Sequence, residues 1–180
     1  MHPGGRYSSG FTMLEVVIVI TIVTILMMVG IPSFQYVTTA NRISAEVNGL
    51  LGDMQFARAE AIKEGQTVVV CASTTGTTCS TGNSWQNGWM VCSDPGADGA
   101  CDAGQPVLRV QNAFTSTDTF QASGNTSAVT FNREGFAVGL PGIVTIALHN
   151  VTSVTAYTRC LALSAVGTLQ VQQAGVGSCT

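Results

Sequence analysis

Charge is the scarcest property of this sequence. Lys, Arg, Asp and Glu together make up 9 % of its 180 residues, and the formal net charge is −3. Surfaces that bind nucleic acid over a broad area are normally rich in Lys and Arg. The composition therefore argues against a broad nucleic-acid surface and leaves only a small local basic patch as a candidate.

Histidine is nearly absent as well, with His2 near the start of the chain and His149 at the end of a predicted strand. One histidine in the body of the chain cannot build a metal site alone, and no serine or cysteine stands in a recognisable nucleophile motif. We therefore predict that the protein is not an enzyme and holds no metal or cofactor. We expect His149 to be structural or exposed to solvent.

Oxygen ligands for a hard cation are concentrated in one loop. Asp94, Asp98 and Asp102 are spaced four residues apart between glycines. Calcium takes several oxygen ligands, but this spacing does not match the EF-hand pattern. We favour a turn held by Asx interactions and keep a calcium site as the alternative.

Apolar residues, by contrast, form one long run from Phe11 to Ile31, interrupted only by Thr12, Glu15, Thr21 and Thr24. About 20 apolar residues are enough to cross a bilayer as a helix. The run is rich in β-branched residues, but in lipid only a helix satisfies its own backbone groups. We predict a transmembrane helix over residues 11–31.

Glu15 is the one charge inside this run. A carboxylate at membrane depth costs about 2.5–3.5 kcal/mol on insertion scales, so it needs a partner. No Lys, Arg or His lies between Phe11 and Asn41. Cleavage after Gly10 would create a free α-amino group on Phe11, and in a bundle of such helices the amine of one copy would neutralise Glu15 of the next.

The hexapeptide Gly10-Phe11-Thr12-Met13-Leu14-Glu15 resembles the class III signal of type IV pilins and type II secretion pseudopilins, G-F-T-L-x-E, with Met13 in place of Leu. The resemblance implies that a prepilin peptidase removes residues 1–10 as a leader and that Phe11 is N-methylated. It also implies a single-pass protein of the bacterial inner membrane, with its C-terminal domain in the periplasm. A simple signal-anchor helix is the alternative.

A second helical stretch follows the apolar run. Gly30 and Pro32 predict a kink or local break where the run ends. Beyond it, apolar residues recur at helical spacing and predict an amphipathic half over residues 32–64 that lies on a sheet. The stripe consists of Ile43, Val47, Leu50, Leu51, Met54, Ala57 and Ala61.

In residues 65–180, short runs of β-forming residues alternate with clusters of Gly, Ser, Thr, Asn and Asp, a pattern that indicates a β-rich globular domain. We predict eight strands: Thr67–Ala72, Gly88–Cys92, Pro106–Val110, Ala128–Phe131, Phe136–Val138, Ile143–Leu148, Tyr157–Leu163 and Leu169–Gln172. Their close spacing favours a mainly antiparallel sheet. The fold class is therefore α+β, one long helix packed on a sheet. We expect Trp85 and Trp89 to be one core and one surface residue of a hairpin.

All six cysteines follow the apolar run, which favours disulfides in an exported domain over reduced, buried thiols. Fifteen connectivities are open to six cysteines. The shortest closures, which we prefer, join Cys71 with Cys79, Cys92 with Cys101, and Cys160 with Cys179.

The soluble part resembles the GspH/FimT family of minor pilins and pseudopilins. The matching segments are Phe56-Ala-Arg-Ala-Glu-Ala-Ile62, Trp85-Gln-Asn-Gly-Trp-Met-Val91 with Asp94-Pro-Gly-Ala-Asp-Gly99, and Phe131-Asn-Arg-Glu-Gly-Phe136. The resemblance implies a pilin-like fold and assembly with other pilins or pseudopilins through the N-terminal helix.

DNA-binding members of that family carry Gly-Arg-x-Arg in the C-terminal loop, where this chain has Gly167-Thr-Leu-Gln170. Arg133 and Arg159 remain as candidate DNA contacts, and we expect DNA to be an unlikely partner. Our first hypothesis is a minor type IV pilin that takes part structurally in pilus assembly or primes it. The alternatives are a GspH-like pseudopilin of type II secretion and a DNA-binding minor pilin for natural transformation.

Overall fold

A computed structural model of the chain describes residues 10–152 and 154–179. The chain divides into two compact units, Met1–Thr39 and Ala40–Thr180. One helix, α1 (Met13–Glu64), supplies residues to both units. The helical assignment passes Gly30 and Pro32 without interruption, so the predicted local break is wrong. Proline removes one hydrogen bond and crowds the carbonyl four residues earlier, but at Pro32 this does not end the helix.

The second unit is built on the predicted stripe of α1. Ile43, Val47, Leu50, Met54, Ala57 and Ala61 are all buried, while Leu51 is half-buried at the margin of the same core. These side chains share one hydrophobic cluster with strand residues such as Val70, Phe131 and Leu161. The helical periodicity of the sequence therefore identified the face that the helix buries.

Nine strands can be assigned within the described residues: β1 (Thr67–Ala72), β2 (Gly88–Asp94), β3 (Val107–Asn112), β4 (Thr119–Ala122), β5 (Ala128–Phe131), β6 (Ala137–Val138), β7 (Val144–His149), β8 (Arg159–Leu163) and β9 (Leu169–Gln173). They form two sheets, in the orders β3-β2-β1-β5-β6 and β4-β7-β8-β9. Every pairing between these strands is antiparallel, as predicted. The strands form two sheets rather than the one that was expected, because strand spacing alone cannot assign strands to sheets. Strand β4 was not predicted.

Both tryptophans of the predicted hairpin are buried, so the expectation that one would lie on the surface is wrong. The indole of Trp85 donates a hydrogen bond to the carbonyl of Thr126, at 3.0 Å between the heavy atoms. The indole of Trp89 donates to Asp53 Oδ2 on α1, at 2.9 Å. With both rings inside the core, neither is available to stack a ligand.

The three disulfides of the structure are the three shortest closures. Cys71 is bonded to Cys79, Cys92 to Cys101, and Cys160 to Cys179. The first two tie loops to the first sheet, and the third ties the C-terminal turn to β8. Bridges of this kind contribute about 2–4 kcal/mol each, chiefly by restricting the unfolded chain.

A charged cluster joins α1 to the segment before β4. Arg42 forms a two-pronged ion pair with the fully buried carboxylate of Asp118, with distances of 2.9 Å from Nε and 3.1 Å from Nη2. Nearby, Glu46 Oε1 accepts a hydrogen bond from Ser116, while its Oε2 is buried without a hydrogen-bond partner in the described structure. Burial, reinforced by the Asp118 charge, raises the pKa of Glu46.

We expect Glu46→Gln to stabilise the protein at neutral pH. The folded state holds the Glu46 proton more tightly than the unfolded chain does, so the stability from this carboxyl is present at low pH. It is lost as the pH rises through the raised pKa. Removing the ionisation should raise the free energy of unfolding at neutral pH, by an amount that solvent screening keeps small because the carboxyl is only partly buried.

Denaturant unfolding of the detergent-solubilised chain, from acidic to neutral pH, measures this effect. The gap between variant and wild type should close as the solution is acidified. A variant that is no more stable than the wild type at neutral pH contradicts the assignment.

Candidate assembly surface

The first unit presents an apolar helical surface. The most apolar window of 18 residues in α1 has a mean hydropathy of 2.8, and none of that window is buried within the described structure. Large apolar side chains from Phe11 to Val37 are exposed around the helix. A surface of this size needs lipid or protein to cover it.

Two threonines inside this helix satisfy their own hydroxyls. Thr21 Oγ1 donates to the carbonyl of Val17, and Thr24 Oγ1 donates to the carbonyl of Ile20, each at 2.8 Å. Bonds of this kind hide a hydroxyl against the helix backbone. The polar interruptions at Thr21 and Thr24 are therefore compatible with an apolar environment.

The start of α1 is capped by Thr12. Its Oγ1 accepts a hydrogen bond from the Glu15 N–H at 3.2 Å, and its carbonyl accepts one from the Val16 N–H at 3.3 Å. Thr12-x-x-Glu15 has the spacing of a capping box, so the sequence itself carries the signal for this cap. The Thr12 hydroxyl thereby fixes the first turn that carries Glu15.

The Glu15 carboxylate stands apart from these bonds. Its side chain is exposed and makes no ion pair or hydrogen bond with any described residue. The helix N-terminus favours a negative charge in its first turn. Among the described residues, therefore, no group neutralises Glu15 in an apolar environment.

Gly10 and Phe11 precede the first helical residue and are both exposed. No atom lies within 4 Å of where a side chain would start at Gly10. The rest of the predicted leader, residues 1–9 with His2, lies outside the described residues. The described residues at the predicted cleavage junction, Gly10 and Phe11, are therefore accessible to solvent.

Every described Lys and Arg has a partner inside the chain. Four are paired with carboxylates, in the ion pairs Arg42–Asp118, Lys63–Glu60, Arg109–Asp53 and Arg133–Glu134. The other two donate to backbone carbonyls: Arg58 to Gly135, and Arg159 to Ala156 and Thr158. The DNA candidates Arg133 and Arg159 thus lie in different local networks, and residues 10–152 and 154–179 contain no cluster of unpaired cations.

The aspartate loop is organised by hydrogen bonds to its own backbone. Buried Asp94 accepts from the N–H of Gly99 at 2.9 Å, and Asp98 accepts from the N–H of Ala100 at 3.0 Å. These bonds match the Asx interpretation. Among the described residues, only Cys71, Cys79 and Cys101 bring three potential metal ligands together, and all three sulfurs belong to disulfides.

His149 lies at the end of β7, as predicted, and is half-buried. Its Nδ1 lies 3.2 Å from the Thr158 hydroxyl. This contact gives the side chain a structural role between β7 and the segment before β8.

Three of the motif segments found in the sequence meet at one point in the second unit. Arg58 Nε, on α1, donates to the Gly135 carbonyl at 2.8 Å. That carbonyl lies in the turn between β5 and β6, where Asn132 Oδ1 accepts from the N–H groups of Glu134 and Phe136. Gly167 packs so closely against Gly135 and Arg58 that it leaves no room for a side chain. Gly167 therefore has a packing role here.

The architecture is that of a pilin: an exposed apolar helix extends into a helix packed on antiparallel sheets. Two crystal structures of the type IV minor pilin FimU from Pseudomonas aeruginosa show the same fold. The first is 21 % identical with a TM-score of 0.59, covering 73 % of this chain and 89 % of that one. The second is 21 % identical with a TM-score of 0.52, covering 75 % and 90 %.

The chain belongs to the GspH family, described as type II transport protein GspH, whose model matches residues 46–167. The prokaryotic N-terminal methylation motif matches residues 5–31. No curated protein matches the chain. The family and fold are those of structural pilins, which are processed by prepilin peptidase, anchored in the inner membrane and assembled with other pilins.

Proposed function

We propose that this chain is a minor type IV pilin that joins or primes a pilus, with its C-terminal domain in the periplasm before assembly. The observation that carries the proposal is the exposed apolar helix, headed by a carboxylate without a partner in the described chain. This helix has the length and composition of a membrane anchor. In a filament, the same surface is available to pack against neighbouring helices.

Cleavage after Gly10 would supply the positive charge that Glu15 needs as a partner. Removal of residues 1–10 gives Phe11 a positively charged α-amino group next to the first turn of α1. The carboxylate of Glu15 on a neighbouring subunit is then the complementary charge, and pairing the two removes the cost of leaving either alone in an apolar environment. N-methylation of Phe11 leaves a basic amine in place.

Mass spectrometry of sheared pili from the native cell tests the proposal. We expect the chain in the pilus fraction with N-methylated Phe11 as its first residue, at substoichiometric amount. An intact leader on the assembled chain contradicts the processing step. A Gly10→Ala variant, expected to keep its leader and stay in the membrane fraction, serves as the comparison.

A pseudopilin of type II secretion is the second candidate, and the description of the matching family favours it. The pilus fraction separates the two. Absence of the chain from pili, together with retention of secreted proteins in cells that lack the chain, supports the pseudopilin.

We expect the chain to bind DNA weakly at physiological salt, because four of its described cations are already paired with carboxylates. Non-specific DNA affinity arises mainly from cations that neutralise phosphates, each adding about one unit to the salt slope. Fluorescence anisotropy with a short duplex measures it. Micromolar binding that falls steeply with salt and is lost in Arg133→Ala or Arg159→Ala would promote the DNA-receptor alternative.

A further inference from the structure

We propose that the free edge of β9 binds an extended segment of a neighbouring pilin-like subunit by strand addition. The inference rests on the proposed function, because it concerns a contact between subunits of one assembly. It adds a second contact, between globular domains, to the one made by the apolar helices.

The other sheet edges are protected by features that oppose strand pairing. In the first sheet, β3 follows Pro106, carries Arg109 and pairs with β2 through a bulge, while β6 has two residues. In the second sheet, Ser84 forms an isolated antiparallel bridge with Gln121 of β4, so this edge is partly occupied.

The β9 edge has none of these features. The strand is five residues long, Leu-Gln-Val-Gln-Gln, and contains neither proline nor charge. No charged side chain occurs anywhere from residue 160 to 180. Soluble proteins usually place Lys, proline or a bulge on such an edge to prevent pairing with another chain.

The C-terminal turn leaves this edge open. Ser178 donates through its N–H to the Gln172 side chain of β9, and its hydroxyl contacts Thr145 of β7. The turn therefore crosses the face of the sheet rather than running beside β9. Within the described chain, no backbone–backbone hydrogen bond outside the β8–β9 ladder involves residues 169–172, and the Gln172 carbonyl lies 3.9 Å from Cys179 Sγ.

Both faces beside the edge are suited to an added strand. On the core side, Val171 pairs with the buried Leu161 yet is itself 43 % exposed, so an added strand would cover it. On the outer side, Ala162, Gln170 and Gln172 line a shallow cavity of about 410 Å³ together with serine and threonine side chains. The lining is uncharged and includes the apolar Ile143 and Gly177 beside these polar side chains, so it fits small uncharged side chains of the incoming segment.

We infer a pilin-like partner because the exposed apolar helix and the N-terminal methylation motif of this chain would hold subunits of the same kind beside its globular domain. Main-chain hydrogen bonds supply the affinity in strand addition. Anchoring by the same type of apolar helix concentrates pilin-like subunits beside one another, which favours weak contacts between their globular domains. Selectivity for pilin-like partners then comes from the apolar helices, which hold these subunits beside one another.

The test places the photoreactive amino acid p-benzoylphenylalanine at Gln173 of the full chain in the native cell. We expect cross-linked adducts with a chain that carries the N-terminal methylation motif, identified by mass spectrometry. Val171→Lys, which puts a charge on the core side of the edge, should lower the adduct yield about tenfold. Val107→Lys is the matched control, since Val107 lies on β3 and is 44 % exposed; it should leave the yield unchanged.

Adducts that survive Val171→Lys, or that contain no chain with the methylation motif, overturn the inference. Unfolding of each variant is measured in parallel, and Gln170→Lys, at an exposed position, replaces Val171→Lys if the latter fails to fold. The pilus fraction separates this result from the proposed function. If the chain is present in pili but forms no β9 adducts, strand addition alone is contradicted. If the chain is absent from pili, the proposed function is contradicted.

Discussion

Glu15→Ala is expected to leave the second unit folded and to reduce incorporation into filaments about tenfold or more. The core of the second unit is formed entirely by residues beyond Ala40, so its folding does not depend on Glu15. Under the proposed pairing between subunits, removing the carboxylate would leave the neighbouring Phe11 amine without its partner. Removing one partner of an ion pair in an apolar environment costs roughly 3–5 kcal/mol.

The measurement compares the variant in pilus and membrane fractions by quantitative immunoblotting, with Glu15→Gln as a second variant. The amide keeps the length of the side chain and its hydrogen-bonding capacity but lacks the charge. If pairing with an amine is the role of Glu15, both variants should accumulate in the membrane. Wild-type incorporation of Glu15→Gln would show that charge pairing is not required.

Local patterns in the sequence predicted the elements that have a period or a short span. The stripe from Ile43 to Ala61 follows from helical spacing, and β5 was predicted with its observed bounds, Ala128–Phe131. The three disulfides close short loops, so the order of the cysteines along the chain favoured the observed pairs. These features are encoded by residues close together in sequence.

Features created by distant contacts were not predictable in this way. The strand β4 is four residues in a polar segment, and its pairing with β7 defines it. The indole of Trp89 is buried because Asp53 accepts its N–H, and Asp53 also pairs with Arg109, whose guanidinium lies 3.8 Å from the Phe56 ring centre. No pattern along the chain joins these residues, since they meet only after α1 packs on the first sheet.

Gly167 illustrates the same limit at a single position. The sequence drew attention to it because the two arginines of Gly-Arg-x-Arg are missing, which bears on DNA binding. In the structure, the glycine itself has a packing role. Its φ of 78° lies in the left-handed region, and a side chain there would collide with the Gly135 carbonyl oxygen and lie 3.0 Å from Arg58 Nε. Three segments can meet at this point only if the residue is glycine.

We expect Gly167→Ala to lower the free energy of unfolding by about 2–5 kcal/mol, from roughly 1–2 kcal/mol for the left-handed conformation and 1–3 kcal/mol for the collision. Gly175→Ala is the matched control, because Gly175 has the same φ of 78° and no atom within 4 Å of the added carbon. It should cost only the conformational part. Denaturant unfolding of both variants under identical conditions measures the difference, which isolates the packing of Gly167 against Gly135 and Arg58. Equal losses in the two variants would mean that the backbone conformation alone requires glycine at this position and that the three segments are free to move apart.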